Sequence, residues 1–118
     1  MDCGISTGHK DSDVTFDNNH IYDNAGDGVF FRGEDSKNAP HRNTFINNII
    51  ENNGTKEGNY GFAFYGNAED VVLKNNIIMD TKNGTQEAAI FIDKNTPVPQ
   101  LENNKISGHP LGKIIHGE

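Results

Sequence analysis

Apolar residues alternate with polar ones at period two over short runs, and Gly or Asn interrupts each run within a few positions. Val14, Phe16, Ile21, Val29 and Phe31 follow this pattern and read as short half-buried strands. A helical repeat would need amphipathic runs of about ten residues, and the Asn-Asn and Asn-Gly pairs would cap or break each one. The strand pattern is itself repeated. Phe16-Asp17-Asn18-Asn19-His20-Ile21, Phe45-Ile46-Asn47-Asn48-Ile49-Ile50, Leu73-Lys74-Asn75-Asn76-Ile77-Ile78 and Leu101-Glu102-Asn103-Asn104-Lys105-Ile106 all read apolar, any residue, Asn, Asn, any residue, Ile. The second Asn falls at 19, 48, 76 and 104, in steps of 29, 28 and 28 residues. A period of that size means stacked structural units, here coils of short strands pairing in parallel about 4.8 Å apart.

The columns of this stack can be written down. Phe16, Phe45, Leu73 and Leu101 form one inward stack, and Ile21, Ile50, Ile78 and Ile106 a second. A third strand begins at Ile5, Val29, Phe62, Ile90 and Ile114, each preceded by a small residue or by Lys113, which predicts about five coils with the outer two incomplete. Asn19, Asn48, Asn76 and Asn104 fall at the bend between the first and second strands. Asn tolerates left-handed backbone angles, and its amide can bond backbone and the amide one coil away, so these four read as a structural ladder.

Through "VTFDNNHIYDNAGDGVFF", "NTFINNIIENNG", "DVVLKNNIIMD" and "QLENNKISG", from about Gly4 to Gly117, the chain resembles right-handed parallel β-helix proteins of the pectate-lyase-like superfamily. The resemblance implies an all-β solenoid and an extracellular or cell-surface protein that binds or acts on polysaccharide. The repeat is scaffold, so it implies no particular activity.

Composition fits that scaffold. Hydrophobic residues make up only 33% of the chain, which a narrow solenoid core tolerates, and they are positioned rather than merely sparse, unlike those of a disordered chain. Ten basic residues against seventeen acidic ones give a net charge of −7, and no Lys/Arg cluster could neutralise a run of phosphates, which argues against nucleic acid as a partner. No run has the apolar length of a membrane span. Cys3 is the single cysteine and can form no internal disulfide. Asn53-Gly54-Thr55 and Asn83-Gly84-Thr85 match the glycosylation pattern, but in so Asn-rich a chain both read as turns instead.

The pattern predicts a single domain over residues 1–118 that belongs to a longer solenoid, because Ile5 and Ile114 already lie in third strands. Uncapped coils expose apolar side chains and strand edges, so end-to-end self-association is expected through Ile5 on one side and Leu111, Ile114 and Ile115 on the other.

Chemistry is expected where the repeats deviate. An insertion from Gly33 to Arg42 follows the third strand of one coil, whereas the next coil has only a short turn over Gly66-Asn67-Ala68-Glu69-Asp70. On the third strand, alternation turns Phe30, Ala63 and Phe91 outward in one column and Arg32, Tyr65 and Asp93 in the next. Exposed aromatics beside charged groups suit sugars, so Phe30, Arg32, Tyr65, Phe91 and Asp93 are the candidate binding residues; an aromatic stripe equally suits a covered interface. A lyase acting on a uronate-containing polysaccharide would need a base and a cation against the carboxylate, for which Lys10, Arg32 and His41 are the candidates. Glu34 and Asp35 are the candidate ligands for calcium, the one cofactor considered, although no EF-hand spacing occurs. Glycoside hydrolysis is disfavoured because Asp93 has no outward carboxylate directly beneath it. The function expected is a carbohydrate-binding or scaffold segment, with a polysaccharide lyase or epimerase as the alternative.

Overall fold

Each strand is short because only one or two inward apolar side chains separate successive bend residues. The computed structural model describes residues 3–55, 59–81 and 85–117, and no helix occurs among them. β1 (Ile5–Thr7) leads into a coil of β2 (Thr15–Asp17), β3 (His20–Tyr22) and β4 (Val29–Phe31). Three more coils follow: β5 (Thr44–Ile46), β6 (Ile49–Glu51) and β7 (Tyr60–Phe64); β8 (Val72–Lys74), β9 (Ile77–Met79) and β10 (Ala88–Ile92); β11 (Gln100–Glu102), β12 (Lys105–Ser107) and β13 (Ile114–His116). The strands stack into three parallel sheets, in the orders β1-β4-β7-β10-β13, β2-β5-β8-β11 and β3-β6-β9-β12. The protein is thus an all-β parallel solenoid of four coils, with β1 as the third strand of one more.

The register is the one that the repeat dictates. Phe16 pairs with Phe45, Phe45 with Leu73 and Leu73 with Leu101; Ile21, Ile50, Ile78 and Ile106 pair likewise. Phe45, Ile50, Phe62, Leu73, Ile78 and Ile90 are wholly shielded from solvent. Phenylalanines tie two of the sheets together: Phe45 stacks on Phe16 of its own sheet with centroids 4.4 Å apart and meets Phe62 of the β1-β4-β7-β10-β13 sheet edge-on at 5.3 Å. Phe31 lies 4.5 Å from Phe64 along the third sheet strands. Of the residues expected to mediate end-to-end association, Ile5 and Ile115 are half-buried, whereas Leu111 and Ile114 are 53% and 38% exposed.

At the first corner each Asn-Asn pair divides the work. The first member takes the left-handed backbone angle, with φ of 60°, 60°, 55° and 54° at Asn18, Asn47, Asn75 and Asn103. The second turns inward and builds the ladder. Asn19 N–H donates to Asn48 Oδ1 at 2.8 Å, Asn48 N–H to Asn76 Oδ1 at 2.9 Å and Asn76 N–H to Asn104 Oδ1 at 2.9 Å, each step doubled by the Nδ2 amide. The same amides cap strand carbonyls, Asn48 on Phe16, Asn76 on Phe45 and Asn104 on Leu73.

A second ladder stands at the next corner, where the chain enters the third strand. Asn24 Nδ2 donates to Asn53 Oδ1 at 2.9 Å, Asn53 Nδ2 to Gln86 Oε1 at 2.9 Å, and Gln86 Nε2 to His109 Nε2 at 2.8 Å. Gly28 and Gly61 make room for it: a Cβ on Gly28 would lie 2.8 Å from Asn53 Nδ2 and 2.9 Å from Ile50 Cγ2, and one on Gly61 would lie 2.9 Å from Ile78 Cγ2 and 3.3 Å from Gln86 Nε2. Of the two glycosylation-pattern asparagines, Asn53 is a buried rung of this ladder, and Asn83 lies outside the described residues.

His109 can accept the Gln86 amide only when neutral. Burial holds its pKa below the ordinary 6.5, against an opposing pull from Asp80. The unfolded chain therefore takes up this proton first as pH falls. Stability from neutral His109 is complete above the unfolded value and is lost as pH drops through about 6.5 toward the lower folded value. The urea midpoint should fall over that window, and His109→Gln, which keeps an acceptor for Gln86, should remove part of the fall. An identical pH dependence in the two proteins would contradict this role.

Candidate functional site

The outer face of the sheet β1-β4-β7-β10-β13 carries a cluster of half-buried aromatic side chains. Phe30 pairs with Ala63 and Ala63 with Phe91, so the column expected from alternation exists. It is not an open stripe, because Ala63 is fully covered. The rings that flank it close over it: Phe30 and Tyr65 lie 5.5 Å apart, Tyr65 and Phe91 5.4 Å, and Tyr60 stacks on Phe91 at 4.9 Å with planes 11° apart. These four rings are half-buried and form one continuous platform across three coils.

Half-buried Glu87 and Asp93 and buried Asp27 act on its two phenols. Burial raises the Tyr60 pKa, reinforced by the charges of Glu87 and Asp27. Burial likewise raises that of Tyr65, reinforced by Asp27, Tyr60 and Asp93. Both phenols therefore stay protonated at neutral pH and keep a donor as well as an acceptor. Asp27 is held by the sheet, accepting the Tyr60 N–H at 2.9 Å. Asp93 continues the next column, its N–H bonded to the Phe64 carbonyl at 2.9 Å just as Tyr65 N–H bonds that of Phe31 at 3.2 Å.

Sequence reasoning reached Phe30, Tyr65, Phe91 and Asp93 but missed Tyr60, Asp27 and Glu87. Strict alternation gives Tyr60 the same side as Phe62, which is core. Gly61 breaks the alternation, since its Cβ direction also points into the core, at Ile78. Two successive inward positions throw Tyr60 to the outside. Gly61, which like Gly4 and Gly28 stands immediately before the first inward apolar residue of its coil's third strand, was the available signal.

Arg32 occupies the expected column but leaves the platform. A Cβ on Gly8 would collide with its guanidinium, which therefore lies across the preceding coil, with Nη2 3.5 Å from Glu34 Oε2. Glu34 also accepts the His9 N–H at 3.1 Å. Asp35 caps a tight turn, its Oδ1 accepting the Asn38 N–H at 3.0 Å. Glu34 and Asp35 are thus each engaged separately, and no group of three or more metal-ligating side chains gathers among the described residues. Lys10 is exposed at φ 64° and meets the insertion only through its backbone, N–H to Asn38 carbonyl at 2.8 Å.

The insertion is built into the stack rather than projecting from it. Ala39 joins the core, and His41 stitches neighbouring turns: Nδ1 accepts the Glu69 N–H at 3.0 Å, which leaves Nε2–H to donate to the Ser36 carbonyl at 2.6 Å. Both imidazole nitrogens are engaged by backbone. Asn43, wholly buried, accepts the Val14 N–H at 2.9 Å and donates to the Asp11 carbonyl at 2.7 Å. Outside, Arg42 grips the Asp13 carboxylate with Nε at 2.7 Å and Nη2 at 3.0 Å, which lowers the Asp13 pKa and raises its own.

Fold and face together define a parallel β-solenoid with an aromatic sheet surface whose phenols feel nearby carboxylates. A family model described as "Right handed beta helix region" matches residues 3–117, and the chain belongs to that family. No curated protein and no solved structure matches it. The family describes architecture, so function has to be argued from the surface itself.

Proposed function

We propose that this protein is a carbohydrate-binding segment of an extracellular, carbohydrate-active β-helix protein. The observation that carries the reading is the platform of Phe30, Tyr60, Tyr65 and Phe91 on the outer sheet face, with carboxylates acting on its phenols. Sugar rings lay their C–H faces on such rings, while hydroxyls bond the phenols and the carboxylates. A parallel solenoid suits a linear polymer, because coil after coil repeats the surface along one axis. The alternative, a lyase or epimerase acting on an anionic polysaccharide, needs a cation against the uronate and a base within reach of the proton. Arg32 turned toward Glu34, and His41 held by backbone at both nitrogens, favour binding over that chemistry.

The chain has no Trp and three Tyr, and Tyr60 and Tyr65 are two of them, so tyrosine fluorescence reports on the platform. Titration with soluble oligosaccharides should change that emission. Tyr65→Ala and Phe91→Ala should each weaken binding by about tenfold, the loss of one stacked ring. Glu102→Ala, on a different sheet, should leave affinity unchanged. Absence of saturable binding to any oligosaccharide would refute the reading, and release of unsaturated uronate from an anionic polymer would move the lyase alternative ahead of it.

A further inference from the structure

The charge around the platform selects among sugars. Among the described residues, the charged side chains acting on the two phenols are negative: Glu87 and Asp27 on Tyr60, Asp27 and Asp93 on Tyr65. Arg32, the cation of the same column, is drawn over Gly8 to Glu34. An anionic sugar would meet these carboxylates, whereas a cation would meet both carboxylates and half-buried aromatic rings. A cation over an aromatic face is attracted by the ring quadrupole, and a nearby carboxylate adds to that attraction.

Resting on the carbohydrate-binding reading, we propose that this face takes an amino sugar in its protonated form, a segment of a glucosamine-type polymer. Its ammonium group lies against Tyr60, Tyr65 or Phe91 and is bonded by Glu87 or Asp93, while the C–H face of the sugar ring stacks on a neighbouring aromatic. Glu87 and Asp93 are half-buried at opposite ends of β10, so they bracket Phe91 along the strand. N-acetylation removes the charge and keeps the stacking surface, which separates the two contributions.

The test is calorimetric titration of the full chain with three probes: a glucosamine oligomer, its N-acetylated counterpart and an oligogalacturonate. The glucosamine oligomer is expected to bind about tenfold more tightly than the acetylated one, with the advantage shrinking as salt rises. Asp93→Asn and Glu87→Gln should each erase part of the advantage of the charged oligomer over the acetylated one, and Tyr65→Ala should weaken both. Circular dichroism of each variant checks that the coil is intact, and the two carboxylate substitutions stand on separate residues. Equal affinity for the charged and acetylated oligomers, or preference for the galacturonate, would overturn this inference and leave the carbohydrate-binding reading standing. Failure of all three probes to bind would overturn both.

Discussion

Asn76→Ala should destabilise the protein by about 3 kcal/mol, read as a lowered urea midpoint. Asn76 is completely buried. Its Oδ1 accepts from both the backbone N–H and the Nδ2 of Asn48, at 2.9 and 3.1 Å, and its own Nδ2 donates to the Phe45 carbonyl at 2.9 Å. Alanine leaves the Asn48 N–H and the Phe45 carbonyl without partners where water does not reach, and stranding buried backbone groups costs more than the net worth of the bonds removed. The exposed end of the ladder supplies the contrast. Asn19 is solvent-exposed and contributes one side-chain bond, its Nδ2 to Asn48 Oδ1 at 3.1 Å, so Asn19→Ala should cost less than about 1 kcal/mol. Equal losses at the two positions would show that the ladder does not act through buried backbone groups.

Phe45→Ala should cost more, about 3–5 kcal/mol, a large share of the stability of an ordinary domain. Its ring is fully buried and joins two of the three sheets, stacking on Phe16 at 4.4 Å in its own sheet and meeting Phe62 at 5.3 Å and Phe31 at 5.9 Å in the β1-β4-β7-β10-β13 sheet, so its loss opens a cavity that no single coil can close. Phe45→Leu should cost only about 1.5 kcal/mol, because Leu73 and Leu101 fill the same column in the next coils. Because each coil contacts only its neighbours, the alanine variant should also unfold less cooperatively, with a shallower urea transition. A midpoint for Phe45→Ala within experimental error of the unsubstituted protein would refute the account of the core.

The ladder prediction could be made from sequence because its geometry is one-dimensional. Once a period of 28 or 29 residues is fixed, stacking at one strand spacing puts residues of equal phase above one another, and Phe16 through Leu101, Ile21 through Ile106 and Asn19 through Asn104 fall into columns. The second amide ladder was not legible in the same way. Asn24, Asn53, Gln86 and His109 are spaced unevenly because turns of different length precede them, and they include three residue types. Only the backbone paths of those turns bring them to one height per coil.

The sequence by itself determined the all-β solenoid, the number and phase of its coils, the apolar stacks and the first corner, since all of these follow from a repeat and from period-two alternation. It also placed Phe30, Tyr65, Phe91 and Asp93 on one outer face. Tertiary structure decided what that face is. Gly61 interrupts the alternation and sends Tyr60 outward, Ala63 is small enough to let the rings converge, and Gly8 gives Arg32 a place to lie away from them. Tertiary structure also turned the charged insertion at 33–42 into a packed tier, because His41 and Ala39 find partners in turns of other coils. The physical reason is the same in each case: period and phase are properties of the chain, whereas the direction of a side chain at a bend depends on which neighbouring coil leaves room for it.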